Sequence, residues 1–383
     1  MQQSRSKKVL FLAACYFPFG EASSIRTVNL CKLMSTLGYS VHVIADFGKQ
    51  GQSFQQFSYE CICPEKSKIN LFLAGTRCLK RVVSYLDKND IGIIVTHARN
   101  DRLERLKKIC KDRNIKLIVE NCEWYDSSSY RFGKIDYRFI RNERMLRKGF
   151  KGVDGFISIS TLLHKHNSKF GKSSIIPTII DFDDYQKPNT KQILTDRIHL
   201  IYAGNPGNGK ELFKPIFKAF ENNLVSENFI LEICGPDKKR IKKLVSDDAL
   251  FEKHLNSVVF RGKIEQGKLS NLIKEAHFLI FIRPKRKSSD AGFPTKMAEA
   301  MAVGTPVITN NTGDIALYLK NGLNGYLLRD ETPESLVSVL MEILQAKNSY
   351  VEMRNNSYIT AKESFDLTLF KEKIGCLLDG NSN

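Results

Sequence analysis

No stretch of this 383-residue chain approaches the run of about 18 apolar residues that a membrane-spanning helix needs, so no such helix is expected. Acidic residues are in deficit: 41 Asp and Glu stand against 59 Lys and Arg, a formal net charge of +18. That excess predicts attraction to polyanions, whether nucleic acid, an anionic membrane surface or phosphorylated small molecules, and charge alone does not choose among them. Cysteine is present but without order. The nine are odd in number and scattered, most of them within apolar runs, which fits free thiols in a reducing compartment. Cys61 and Cys63 lack a second pair at zinc-ligand spacing, so no metal site is expected. With 42% hydrophobic and 26% charged residues, little room is left for long disordered tracts.

The amino terminus has a basic start and a short apolar run, which superficially resembles a signal peptide. The run passes into Tyr16, Pro18 and Gly20 without a small-residue cleavage site, and a strand followed by a loop fits better. A cytoplasmic protein is expected.

The length exceeds what one hydrophobic core supports and predicts two domains. Short β-rich runs alternate with amphipathic segments, the pattern of parallel sheets covered by helices on both faces. Strands are expected at 8–13, 41–45, 91–96, 116–120 and 155–160, with helices at 24–37 and 103–113. A polar passage, 183–197, reads as a linker. The pattern then restarts, with strands at 199–203, 229–234, 257–261, 278–282 and 306–309. The fold class is therefore α/β, with two Rossmann-like doubly wound domains over 1–185 and 186–356, and a final helical segment, 357–383, as a candidate to return to the first domain. In such sheets ligands bind beyond the carboxyl ends of strands, where loops meet helix N-termini.

The most specific motif, 290–308, follows a strand and reads Asp-Ala-Gly-Phe-Pro-Thr-Lys-Met-Ala-Glu-Ala-Met-Ala-Val-Gly-Thr-Pro-Val-Ile. Gly292 and the residues after it can leave backbone N–H groups at a helix start, where the dipole favours a diphosphate. Lys296 adds a charge, and Glu299, one turn on, is a carboxylate able to accept two hydrogen bonds from a ribose diol. An ordinary amphipathic helix ending at Gly304 explains the helix and its stop but not Lys296 and Glu299 together. A second motif, 201–210, is a strand running into a Gly-rich turn that ends at Lys210. Its spacing from Gly204 to Lys210 imitates the P-loop of nucleotide triphosphatases, but Glu211 stands where that loop needs Ser or Thr.

The first motif resembles the donor-binding signature of retaining glycosyltransferases of the GT-B fold, in particular glycosyltransferase family 4 (glycosyl transferases group 1). That resemblance implies two Rossmann-like domains facing across a cleft and a sugar moved from a nucleoside-diphosphate donor, of UDP or GDP type, to a hydroxyl acceptor. It implies a retaining, hexosyltransferase-like enzyme needing no cofactor or metal, with Glu299 on the ribose and Gly292, Phe293, Pro294 and Thr295 at the donor phosphates and sugar. Ala291 occupies the family's first glutamate position, and Asp290 is the carboxylate next to it. Pro294 to Glu299 is closer to a sub-pattern reading Pro-Thr-Lys-x-x-Glu. The 204–210 loop resembles the loop opening the family's second domain, with Gly204 and Asn205 at the donor and Lys210 opposite Lys296 across the diphosphate. The family arginine is absent there, and Arg283 or Arg286 is the substitute.

The loop at 16–30 resembles the family's donor- and acceptor-facing loop, with Gly20 at a glycine position, a helix capped near Ser23 or Ser24, and Arg26 in reach of an anionic acceptor. His97 ends a strand where the family often places a histidine facing the donor sugar; the bland alternative is a packing residue. Lys210, Lys296 and His97 are the catalytic candidates. Glu120 and Glu123 follow the next strand. Asp181 and Asp183 spell a metal-binding pair of another glycosyltransferase fold, but their context resembles the segment before the family's interdomain linker, and they read as structural.

From Tyr130 to Lys151, cations alternate with aromatics, which reads either as a basic helix lying on anionic lipid or as a solvated face over core aromatics. No nucleic-acid motif accompanies the charge, and no nucleic-acid partner is expected. The expected acceptor is a sugar or a lipid-linked sugar, as in bacterial surface-polysaccharide or glycolipid assembly, with peripheral attachment to the inner face of the membrane. The alternatives are a GT-B nucleotide-sugar epimerase or hydrolase, and a P-loop-like nucleotide-binding protein.

Overall fold

The structure, a computed structural model, describes residues 6–51, 53–185, 197–207, 209–346 and 349–379. Most of the 183–197 linker thus lies outside the described residues. The chain divides into two compact units: Met1–Ile179 with Leu367–Asn383, and Ile180–Asp366.

The first unit is built on an eight-stranded sheet: β1 (Lys8–Tyr16), β2 (Ser40–Phe47), β3 (Ser53–Phe54), β4 (Phe57–Cys63), β5 (Ile93–His97), β6 (Lys116–Asn121), β7 (Gly155–Ser158) and β8 (Lys172–Ile175), in the order β3-β4-β2-β1-β5-β6-β7-β8. Every pairing is parallel except the β3–β4 hairpin. The second unit has six parallel strands: β9 (Ile198–Ala203), β10 (Phe229–Cys234), β11 (Val258–Gly262), β12 (Phe278–Ile280), β13 (Val307–Asn310) and β14 (Gly325–Leu328), ordered β11-β10-β9-β12-β13-β14. Both are doubly wound. Helices cover both faces, so the central strands are unbroken apolar runs, Val9–Ala13 and Leu200–Ala203 among them, with almost no exposure. All ten strands expected from the sequence form; β3, β4, β8 and β14 are additional.

The carboxyl end of the first sheet is organised around a buried ion pair. Arg26, on helix Ala22–Thr36, donates through Nε to Glu120 Oε1 on β6 at 2.5 Å, and through its other nitrogens to the carbonyls of Pro177 and Ile176. Both residues are 4% exposed. Arg26 is therefore committed to the interior and is not a surface cation for an acceptor, which corrects the sequence reading. The helix N-cap is Glu21, with no side-chain cap bond. Ser24 instead lies within the first turn and donates its hydroxyl to the Tyr16 carbonyl, so the expected serine cap is not formed. A second buried pair joins Arg102 to Asp46 in bidentate fashion, at 2.9 and 2.7 Å.

The chain leaves and re-enters the first unit at adjacent points. Ile180 bridges to Asp366 in parallel, and its N–H donates to the Phe365 carbonyl at 2.7 Å. Asp181, one of the sequence's acidic pair, accepts from the N–H of Asp183 and caps the short 3-10 turn Phe182–Asp184. Residues 357–365 belong to helix Tyr350–Phe365, which packs on helix Thr295–Ala302 in the second unit. The last helix, Lys371–Asp379, packs on β8 and on helix Ala22–Thr36. Its terminal carbonyls accept from Lys116 (Leu378 O, 3.1 Å) and Lys172 (Cys376 O, 3.2 Å), cations placed where the helix dipole is negative.

Breaking a buried pair strands an unpaired charge, whereas replacing both partners removes it. Glu120→Ala is therefore expected to lower unfolding stability by about 3–5 kcal/mol, and the double variant Arg26→Met/Glu120→Leu to recover much of that loss, as read from denaturant midpoints.

Candidate functional site

In the second unit, the elements carrying the two sequence motifs converge at the carboxyl end of the sheet. β9 ends at Ala203, and Gly204 follows with φ +126, its N–H donating to the Cys234 carbonyl at 3.0 Å. A Cβ on Gly204 would lie 3.2 Å from Lys296 Nζ, so only glycine lets the loop pass over that ammonium in this backbone conformation. Asn205 folds back within the loop, its Oδ1 accepting from the Gly207 N–H at 3.0 Å. Loop carbonyls are held from outside by two arginines, Arg240 on Gly207 and Arg286 on Gly209. Lys210 closes the turn, its N–H donating to the Pro206 carbonyl at 3.2 Å.

Lys296 sits in the first turn of helix Thr295–Ala302, with Pro294 at the N-cap. Its ammonium contacts both Glu211 oxygens at 2.7 and 2.9 Å and lies 4.0 Å from the centroid of the Tyr202 ring. Tyr202 donates its hydroxyl to the same carboxylate. Lysine, glutamate and tyrosine form one buried cluster in which Glu211, not a phosphate, is the lysine's counter-ion. Burial lowers the Lys296 pKa, and the Glu211 carboxylate opposes that shift. The same cluster disposes of the P-loop reading: Glu211 turns into the core, and the next helix, Lys214–Ala219, does not start at Lys210.

Glu299 lies one helical turn beyond Lys296. Burial pushes its carboxyl up to about 7, against the lowering effect of Lys296. Tyr185 lies close enough for the Glu299 charge to add to the effect of burial in raising its phenol. Nothing in the sequence singled Tyr185 out. Arg283 is 8% exposed; its N–H donates to Asn310 Oδ1 at 2.8 Å, and its guanidinium reaches Thr312 Oγ1 at 3.4 Å and adds positive potential at Lys296. Asp290 accepts from the Gly313 N–H at 2.9 Å, so this carboxylate fixes the loop after β13. Gly292 precedes Phe293, whose ring is buried against Tyr318 and Phe365; any donor contact there falls to the backbone. Pro294 has no N–H to offer, which leaves Thr295 and Lys296 as first-turn donors.

In the first unit, Gly20 (φ +125) lies in the loop after β1, ahead of helix Ala22–Thr36. His97 ends β5. Its Nδ1 accepts from the Ala14 N–H at 3.0 Å, which assigns the proton to Nε2, facing Thr27 Oγ1 at 3.2 Å and Glu120 Oε2 at 3.5 Å. Burial lowers its pKa despite the Glu120 carboxylate, so the ring is neutral near pH 7. Both ring nitrogens are engaged within the first unit. Among the described residues, no group of three or more His, Cys, Asp or Glu is placed to hold a metal ion.

Residues 186–360 match the family described as Glycosyl transferases group 1. That match falls within the second unit. A curated relative, an uncharacterized glycosyltransferase of Methanocaldococcus jannaschii, MJ1069, is 24% identical over 311 residues, 75% of this chain and 74% of that protein. Among solved structures, sucrose-phosphate synthase from Thermosynechococcus elongatus superposes with a TM-score of 0.76 at 16% identity, covering 97% of this chain and 98% of that one. Anabaena HepE in complex with UDP-glucose superposes with a TM-score of 0.72 at 13% identity, covering 98% and 100%. The fold is thus that of the GT-B glycosyltransferases, with two parallel-sheet α/β domains.

Two outcomes follow for the second unit. Glu211→Gln leaves Lys296 buried without its counter-ion and is expected to cost about 3–5 kcal/mol in unfolding free energy, measured by denaturant titration. Glu299, raised from 4.5 to about 7, binds its proton more tightly folded than unfolded, so its contribution is present below pH 4.5 and is lost as pH rises to about 7. Glu299→Gln should accordingly flatten the decline in melting temperature across that window.

Proposed function

We propose that this protein is a retaining glycosyltransferase that moves a sugar from a nucleoside-diphosphate donor to a hydroxyl acceptor. The observation that carries this reading is the arrangement around Lys296 in a domain of the group 1 family: a Gly-turn above its ammonium, a helix N-terminus beside it, and Glu299 one turn on. Glu299 would accept the two ribose hydroxyls. The first-turn N–H groups of Thr295 and Lys296, with Lys210, would meet the diphosphate. Lys296, already balanced by Glu211, would orient more than neutralise, and the net positive charge would come from Lys210 and Arg283.

On this reading, catalysis is chiefly stabilisation of the departing diphosphate by fixed cations and amides in a site of low dielectric, without a metal. His97, neutral and locked by Ala14, Thr27 and Glu120, would shape the sugar side rather than transfer a proton. A UDP-type donor is supported by the complex that HepE forms with UDP-glucose, GDP remaining the other candidate. Lipid-linked sugar acceptors in surface-polysaccharide or glycolipid assembly are supported by the net charge of +18. The nine unpaired thiols support a reducing compartment.

A thermal-shift series with UDP, GDP and ADP tests the donor site: the matching nucleotide raises the melting temperature by mass action. Lys210→Ala is expected to weaken that nucleotide about 10- to 100-fold, the loss of one charge-assisted contact. NMR of the product formed from the corresponding nucleotide sugar should show the donor's anomeric configuration. Absence of any nucleoside-diphosphate shift would refute the reading, and free sugar formed at the same rate with and without acceptor would make the protein a hydrolase.

A further inference from the structure

In the first unit, two exposed apolar clusters flank a single loop. One precedes and opens helix Tyr137–Arg144, where Ile135 is 81% exposed and Phe132, Tyr137 and Ile140 are each more than half exposed. The other opens helix Lys68–Leu86, where Phe72 is 84% exposed and Ile69 and Leu71 are also in solvent. The loop after β5 lies between them. Gly75, one turn beyond Leu71, packs so close to Asp101 that a Cβ would stand 2.8 Å from its carboxylate. Arg141 Nη2 donates to the Asn100 carbonyl at 3.1 Å.

The display is structured rather than frayed. The expected single basic helix is instead a 3-10 turn, Gly133–Ile135, the helix Tyr137–Arg144 and a π-helical turn, Met145–Gly149. Met145, Leu146 and Phe150 are buried beneath it, and the Trp124 indole donates to Glu143. Residues 130–151 carry eight Lys and Arg and two acids, and 8 − 2 leaves +6. Both acids are already paired within the segment, Asp136 with Arg138 at 2.9 Å and Glu143 with Arg147 at 2.8 Å. The outward residues are thus bulky apolar groups interleaved with cations.

That mixture decides among partners. A platform for single-stranded nucleic acid stacks bases on aromatic rings, whereas here the exposed Phe132, Tyr137 and Phe72 are interleaved with Ile135, Ile140, Ile69 and Leu71, aliphatic groups that offer a base no ring. The core of a protein interface is poor in charge, whereas cations here run through the apolar residues. Apolar side chains that enter the headgroup–acyl boundary while neighbouring Lys and Arg meet lipid phosphates match an anionic bilayer. We propose that this face of the first unit docks on an anionic lipid bilayer, with Ile135, Ile140 and Phe72 inserted and Arg131, Lys134 and Arg144 on the phosphates. The inference is independent of the donor-site reading.

Cosedimentation of the full chain with large unilamellar vesicles tests it, using phosphatidylcholine with and without phosphatidylglycerol. The protein should pellet with the anionic vesicles and not with phosphatidylcholine alone. Ile135→Asp/Ile140→Asp and Arg131→Glu/Lys134→Glu should each weaken binding about tenfold or more, the second effect shrinking as salt is raised. Both pairs are exposed, so melting temperatures and the nucleotide-induced shift should stay at wild-type values; should the aspartates lower them, Ile135→Ser/Ile140→Ser takes their place. Equal pelleting with both vesicle types overturns the proposal. So does an isoleucine variant that binds like wild type, or a short single-stranded RNA that displaces the vesicles from both.

Discussion

A carboxylate buried at the carboxyl end of a parallel sheet has to be met by a cation, because the low dielectric makes an unpaired charge prohibitive. Both units are built on that constraint. In the first, Glu120 at the end of β6 is met by Arg26, which also gathers the carbonyls of the departing segment at 176–177. In the second, Glu211 after β9 is met by Lys296 from a distant helix. Each pair ties the first two turns of a helix to a residue 94 or 85 positions away in the chain, and so helps to set where that helix begins.

The two pairs sit in different surroundings. In the first unit, burial lowers the His97 pKa, and both ring nitrogens are engaged by Ala14, Thr27 and Glu120. In the second unit, Lys296 is paired with Glu211, and Arg283 adds positive potential beside it. The lysine is thus stabilised in the interior by its own carboxylate partner.

Much of this was legible in the sequence. Central strands are buried on both faces, so apolar runs such as Phe229–Cys234 identify themselves. Strands at or next to an edge do not: β8, at one edge, reads Lys-Ser-Ser-Ile, and β4, flanked on one side only by the two-residue β3, mixes Ser, Tyr, Glu and Cys because most of its side chains are only half covered. The motif at 290–308 showed its helix start and the following strand because those are local features. Partnership across 85 residues, as between Glu211 and Lys296, leaves no local trace, and neither does that of Arg26 with Glu120. The long basic helix was misread for a related reason. Charge spacing shows which residues alternate, but not that the backbone tightens into a 3-10 turn before the helix and loosens into a π turn after it.

The pairing of Ile180 with Asp366 bears on how the chain is made. Residues 180–366 form a complete unit whose two ends lie side by side, so it can finish folding as soon as it has emerged from the ribosome. The first unit, although synthesised earlier, must wait for the helix Lys371–Asp379 to cover β8 and helix Ala22–Thr36. The order of synthesis and the order of completion are thus reversed.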